Sequence, residues 1–226
     1  TGGEAPPPNN LGLIYADLGE KQQALDFYNQ ALPLSRAVGD KAGEARTLNN
    51  IGLVYYALGD KQQALNFYNQ ALTLRRAVGD KQGEAETLSN IGFVYYDLDD
   101  KQQALDFFNQ ALSIARSLGN KAGEASALNY IGVMYLDIGD NVKALNFFNQ
   151  AMQINFQLND KVGIGINTSN ISRAYAALGE LEKALAHFRE AIEILQQAEP
   201  NLAEVRVRKR LIEFLIAQDR LDEAVQ

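Results

Sequence analysis

The chain has 226 residues, 46% of them hydrophobic and 22% charged, with a formal net charge of −7. That apolar content is enough to bury a core, and the acidic balance argues against a phosphate-binding surface, so nucleic acid and anionic membrane are disfavoured as partners. There is no cysteine and one histidine, which excludes disulfides, thiol chemistry and a His/Cys metal centre. No apolar run approaches the roughly 18 residues of a membrane span and no signal-peptide pattern occurs, so a cytoplasmic location is expected.

The chain starts in mid-pattern at Thr1, as a fragment of a longer protein would. The dominant signal is a repeat. Gly12, Gly52, Gly92 and Gly132 recur with a 40-residue period, within the range of helical solenoids. Aligned on it, the units are 1–40, 41–80, 81–120, 121–160 and 161–200, followed by part of a sixth at 201–226. The repeat makes these one elongated domain.

In the first unit, Pro6-Pro7-Pro8 pushes the preceding backbone out of the helical region, so the first helix is predicted to begin no earlier than about Pro8. The triplet reads either as a fraying end or as a proline-rich ligand segment. Pro33 falls inside the second helix, where it removes a hydrogen bond and predicts a kink. The second unit shows the pattern at its clearest. Leu48, Ile51, Gly52 and Tyr55 form one helical stripe, and Ala64, Leu65, Tyr68, Ala71 and Leu72 form another. The spacing predicts helices over 41–57 and 61–78. Gly59 ends the first by adopting positive φ, Asp60 caps the next with Gln63 three residues on, and Gly79-Asp80 repeats the arrangement. Connections this short make paired helices antiparallel. Gly52 and Ala64 permit close approach of the two backbones, while Tyr55 and Tyr68 fill the space beside them.

Leu48, Ile51, Gly52, Tyr55, Ala64, Tyr68 and Ala71 stand at the spacings of the tetratricopeptide repeat signature, and the whole chain resembles that family. The 40-residue period exceeds the common 34-residue form, and Arg36, Arg76 and Arg116 replace its closing proline. Both features resemble the long-helix repeats of kinesin light chains and spindle-orientation adaptors. The resemblance implies an all-α, right-handed superhelical solenoid of antiparallel helix pairs, non-catalytic and without cofactor. It also implies a concave groove, lined by the first helix of each repeat, that binds a protein or an extended peptide.

On the side opposite the core stripe stand Arg46, Asn49, Asn50, Leu53, Tyr56 and Ala57. Asn50 has counterparts in Asn10, Asn90 and Asn170, with Tyr130 breaking the series. Asparagine is an indifferent helix former, so its recurrence on an exposed face needs a reason. Duplication of an ancestral unit is one. The other is that a carboxamide, donor and acceptor together, matches an extended peptide backbone. In the long-helix relatives such a row is implied to hold the bound chain, with specificity left to variable neighbours such as Leu53 and Phe93, or Tyr56 and Tyr96. Asp17, Asp97 and Asp137 lie on the early and middle units of this face. Arg173, Arg206, Lys209 and Arg210 gather towards the C-terminal end, either as a solvated end or as a dock for an acidic or carboxylate-bearing ligand.

His187 stands at the position of Phe67, Phe107 and Phe147 and reads as a structural substitution. Gly163-Ile164-Gly165 lacks the preceding strand and third glycine of a dinucleotide site. The alternative to a binding scaffold is self-assembly into a homo-oligomer, through apolar faces left at the ends of an uncapped solenoid.

Overall fold

The computed structural model describes residues 7–198, 202–218 and 220. Contacts divide the chain into two compact units, residues 1–118 and 119–226. The first holds α1 (Pro8–Asp17), α2 (Lys21–Ala37), α3 (Lys41–Leu58), α4 (Lys61–Val78), α5 (Lys81–Asp97) and α6 (Lys101–Ser117). The second holds α7 (Lys121–Asp137), α8 (Asn141–Leu158), α9 (Lys161–Ala177), α10 (Leu181–Gln196) and α11 (Leu202–Ala217). Among the described residues there is no strand. The predicted helices over 41–57 and 61–78 appear as α3 and α4, within a residue at each end. The all-α helix-pair architecture expected from the repeat is the one observed.

Helix ends follow the caps read from the sequence. The side chains of Asp40, Asp60, Asp80 and Asp100 each accept the backbone N–H three residues on, as do Asn120, Asp140 and Asp160 in the second unit. The left-handed residue that turns each helix into the next is glycine at most junctions, but Asp99 (φ 61°) and Asn159 (φ 55°) take the same conformation. Short polar side chains that bond locally tolerate it best after glycine. α1 starts at Pro8, where the ring cannot interrupt a hydrogen bond. Pro6 and the earlier residues lie outside the described residues. α2 runs as one helix through Pro33.

Within a pair, one contact repeats. A Cβ on Gly52 would stand 2.6 Å from Tyr68 Cε1, and one on Gly132 would stand 2.5 Å from Phe148 Cε1. Gly12 and Gly92 meet Tyr28 and Phe108 in the same way. One residue type at one register thus sets the distance between the two helices. Beside it, Tyr15–Phe27, Tyr55–Phe67, Tyr95–Phe107 and Tyr135–Phe147 stack with centroids 5.1–5.4 Å apart. His187 completes the series edge-on to Tyr175, at 5.2 Å. It fills an aromatic slot, as its register implies.

Successive pairs are tied by polar bonds as well as by the core. In the first unit, Lys21 Nζ donates to the Ala57 carbonyl (2.7 Å), and Lys61 Nζ donates to that of Asp97. Each lysine thus satisfies a carbonyl near the C-terminal end of the next first helix, where a cation is favoured. Leu65, Tyr68, Leu72, Leu88 and Ile91 form the core between α4 and α5. In the second unit, Phe148, Ile171 and Ala174 fill that role, followed by Phe188, Leu195 and Val207.

Candidate binding face of the first helices

In the first unit, α1, α3 and α5 present the residues opposite the core stripe. Asn50 and Leu53 of α3 meet Leu13 and Asp17 of α1 around a shallow cleft of about 240 Å³. A second cleft of about 330 Å³ brings Arg46 and Asn50 to Arg75, Asp80 and Glu86. Arg46, Asn50 and Leu53 therefore share one surface, and Leu13 joins them unanticipated. Tyr56 O–H donates to Asp97 Oδ2 at 2.8 Å. Burial first, then the hydrogen bond and charge of Asp97, push the Tyr56 phenol up to about 12. Tyr96 and Phe93 are half-buried, and the Phe93 ring meets Phe108 edge-on at 5.3 Å.

The asparagines do not form the exposed row that the helical projection suggested. Asn10 is exposed, Asn90 is half-buried, and Asn50 and Asn170 are only 8% and 3% exposed. Asn49, placed on the outer face by the same projection, is fully buried. The physical reason is a ladder between neighbouring first helices. Asn90 Nδ2 donates to Asn49 Oδ1 (3.1 Å), and Thr87 Oγ1 donates to the same oxygen (3.2 Å). Thr47 Oγ1 likewise donates to Asn9 Oδ1 (3.2 Å), and in the second unit Asn170 Nδ2 donates to Asn129 Oδ1 (2.8 Å). These carboxamides are spent, in part, on holding repeat to repeat. The signal was present in the sequence as a second recurrence, Asn9, Asn49 and Asn129, one residue before the first.

In the second unit, Tyr130 is half-buried, and burial raises its phenol pKa. Two of the three C-terminal arginines converge. Arg173 Nη1 and Arg210 Nη1 reach Asn170 Oδ1 at 3.5 Å and 3.4 Å, and Arg210 also reaches Ser169 Oγ. Asp137 pairs directly with Arg173 at 3.4 Å. Arg206 instead lies on a separate cleft of about 400 Å³ with Tyr130 and Asn129. Lys209 is exposed and stands 3.8 Å from Glu213 on its own helix. Among the described residues, no grouping of three or more His, Cys, Asp or Glu side chains could hold a metal ion. No helix there is long and apolar enough to cross a membrane.

Ordered helix pairs, a glycine–aromatic contact recurring in four of them and a ladder between first helices define an all-α repeat protein. The tetratricopeptide repeat model matches residues 5–77, 83–155 and 123–197. The chain belongs to the tetratricopeptide repeat family. Comparison with curated proteins finds no match. Among solved structures, it is similar to a Rap protein complexed with competence and sporulation factor (20% identity, TM-score 0.80, 96% of this chain and 61% of that one). It is also similar to NprR in complex with its cognate peptide NprX (17%, TM-score 0.72, 96% and 63%). A third is a putative kinesin light chain from Podosopora anserina with nearly identical TPR-like repeats (15%, TM-score 0.68, 83% and 92%). The chain spans less than two thirds of the Rap and NprR chains. At these identities the likeness is one of fold.

Proposed function

We propose that the chain is a protein- or peptide-binding scaffold that uses the first-helix face of its repeats. The observation that carries this reading is the surface shared by Arg46, Asn50 and Leu53. It places an exposed apolar side chain, a carboxamide and a guanidinium around shallow clefts on helices whose other side is committed to the core. Such a surface suits an extended segment, which offers backbone amides at regular intervals and apolar side chains between them. The complexes of the Rap protein and of NprR lend support, since both hold a factor or peptide on a similar fold. Within the second unit, an acidic or carboxylate group of a ligand would lie against Arg173 and Arg210, where two guanidiniums converge on Asn170.

A peptide-array screen with purified protein tests the reading. Captured peptides should lose affinity on Leu53→Asp with Arg46→Glu, changes at exposed positions that leave the core alone. Capture that is indifferent to both substitutions would refute this face as the site. One observation favours a second reading, self-assembly. Leu202, Val205, Ile212 and Ile216 of α11 are all exposed and lie along one side of that helix. Light scattering separates the two, because assembly would give a concentration-dependent mass that falls on Val205→Glu with Ile212→Glu.

A further inference from the structure

The two larger clefts occupy the same place in the repeat, two repeats apart. Arg75, Asp80, Gly83 and Glu86 of the first unit have as register partners Asn155, Asp160, Gly163 and Ile166 of the second, and each set borders its own cleft. In the first unit the chain fills the slot itself. The Arg75 side chain is buried (3% exposed), and Gly83 makes room for it, since a Cβ there would stand 2.6 Å from Arg75 Nη1. That nitrogen donates to the Gly83 carbonyl and pairs with Glu86 Oε2 at 3.0 Å, while Nε lies 4.0 Å from Asp80 Oδ2.

In the second unit the short, neutral Asn155 replaces that arginine, and the glycine below it remains as Gly163. Three consequences follow. The cleft enlarges to about 400 Å³. Asp160 still caps its helix through Oδ1, at 2.9 Å from Gly163 N, but among the described residues no cation pairs with its carboxylate. The carboxamide of Asn167, only 1% exposed and lining the same cleft, has neither its oxygen nor its nitrogen satisfied among the described residues. Its register partner Thr87 is hydrogen-bonded to Asn49. An unmet buried donor and acceptor are costly to leave without a partner, and here they border a cavity large enough for one.

We propose that this cleft is an arginine-binding slot, in which a guanidinium from a ligand lies beside Asn155 and supplies to Asp160 the positive charge that Arg75 supplies to Asp80 in the first unit. Asp160 Oδ2 and Asn167 Oδ1 accept from the guanidinium, and Asn167 Nδ2 donates to the ligand's backbone carbonyl. Arg206, which borders the cleft and makes no ion pair among the described residues, faces a carboxylate of the same ligand. The ligand class is a peptide whose arginine is C-terminal or directly flanked by a carboxylate. This inference rests on the binding-scaffold reading only in taking the ligand to be a peptide.

The test uses N-acetyl-L-arginine, which carries guanidinium, carbonyl and carboxylate, and its neutral isostere N-acetyl-L-citrulline. Both are titrated into the protein while the side-chain amide resonances of Asn155 and Asn167 are followed by NMR. The arginine compound should shift both resonances saturably, with Kd on the order of 1 mM as suits so small a ligand, and citrulline should act at least about tenfold more weakly. Asp160→Asn removes the charge but keeps a cap, as Asn120 caps Gly123; it should weaken binding at least about tenfold. Asn155→Arg places the chain's own guanidinium beside Asp160, although Ile166 stands where Glu86 pairs with Arg75, and should abolish binding. Equal response to the two compounds, no response to either, or parent-like binding by Asp160→Asn would overturn the slot. Peptide capture on the array that survives Asn155→Arg refutes the slot while leaving the scaffold reading in place. A response to N-acetyl-L-arginine without any array capture does the reverse.

Discussion

Replacing Gly52 by alanine isolates the glycine–aromatic contact that sets the spacing of its helix pair. In an exposed helix this change would stabilise by about 1 kcal/mol, because glycine surrenders more backbone entropy than alanine. Here the new methyl would lie 2.6 and 2.7 Å from Tyr68 Cε1 and Cδ1. Carbon atoms prefer separations near 3.5–4.0 Å, so about 1 Å of overlap must be relieved by moving a ring that is itself 1% exposed. Overpacking of that kind costs about 1–3 kcal/mol. Set against the propensity gain, the net loss is at most about 2 kcal/mol, with a sign opposite to that of an ordinary surface substitution. The effect should be graded. At Gly92 the nearest ring atom of Phe108 is 2.9 Å away, whereas at Gly132 that of Phe148 is 2.5 Å away, so Gly132→Ala should cost more than Gly92→Ala. Urea unfolding followed by circular dichroism measures all three, and Tyr68→Leu should rescue Gly52→Ala in a double-mutant cycle. If all three variants are as stable as the parent, the glycines do not set the helix spacing.

Three further outcomes are expected. Burial would raise the Glu84 pKa, but hydrogen bonds and charge from Lys81 and Arg76 outweigh it and hold the carboxyl below its usual 4.5. Its contribution is therefore complete above that value and lost as pH falls through the depressed one, so Glu84→Gln should flatten the acid limb of a stability–pH curve. Tyr56, held up to about 12, should stabilise fully below pH 10 and lose that contribution as pH rises towards 12; ultraviolet titration should show this phenol ionising at lower pH once Asp97 is changed to Asn. Asn170→Ala should cost about 1–3 kcal/mol in thermal unfolding, because it strands the Asn129 carboxamide oxygen and removes one acceptor from each of Arg173 and Arg210. Asn10→Ala, at an exposed position, should cost under about 0.5 kcal/mol.

Local rules made most of the architecture legible. Asp60 and Gly59 carry their own chemistry, since a cap needs an acceptor three residues from an N–H and a left-handed turn needs a small residue. Those demands can be read residue by residue. The same reasoning explains why Asp99 and Asn159 stand in glycine's place without altering the fold. The binding face was harder to read, because 100° per residue fixes a direction around one helix and not what stands in that direction. Asn49 and Asn90 project towards a neighbouring first helix, and only the packing of consecutive repeats shows that their carboxamides meet. Arg75 was hidden for the opposite reason. It lies among basic residues at a helix end, where a cation needs no special explanation, and its burial depends on Gly83 eight residues later.

The ties between repeats in the first unit span a nearly constant stretch of chain. Lys21 reaches Ala57, Thr47 reaches Asn9, Thr87 and Asn90 reach Asn49, and Tyr56 reaches Asp97, all over separations of 36–41 residues. Chain length is therefore a free variable for this protein. Excising residues 41–80 and joining Asp40 to Lys81 would present Gly83 to the Asp40 cap, Thr87 to Asn9, and the Asp97 carbonyl to Lys21, each replacing a partner of the same kind. Every repeat boundary is a splice point at which the two ends already match. Because these ties reach only the next repeat, the entropic cost of closing them does not grow as units are added or removed. A gene encoding such a chain can lengthen or shorten its first-helix face by unequal recombination without a frustrated intermediate.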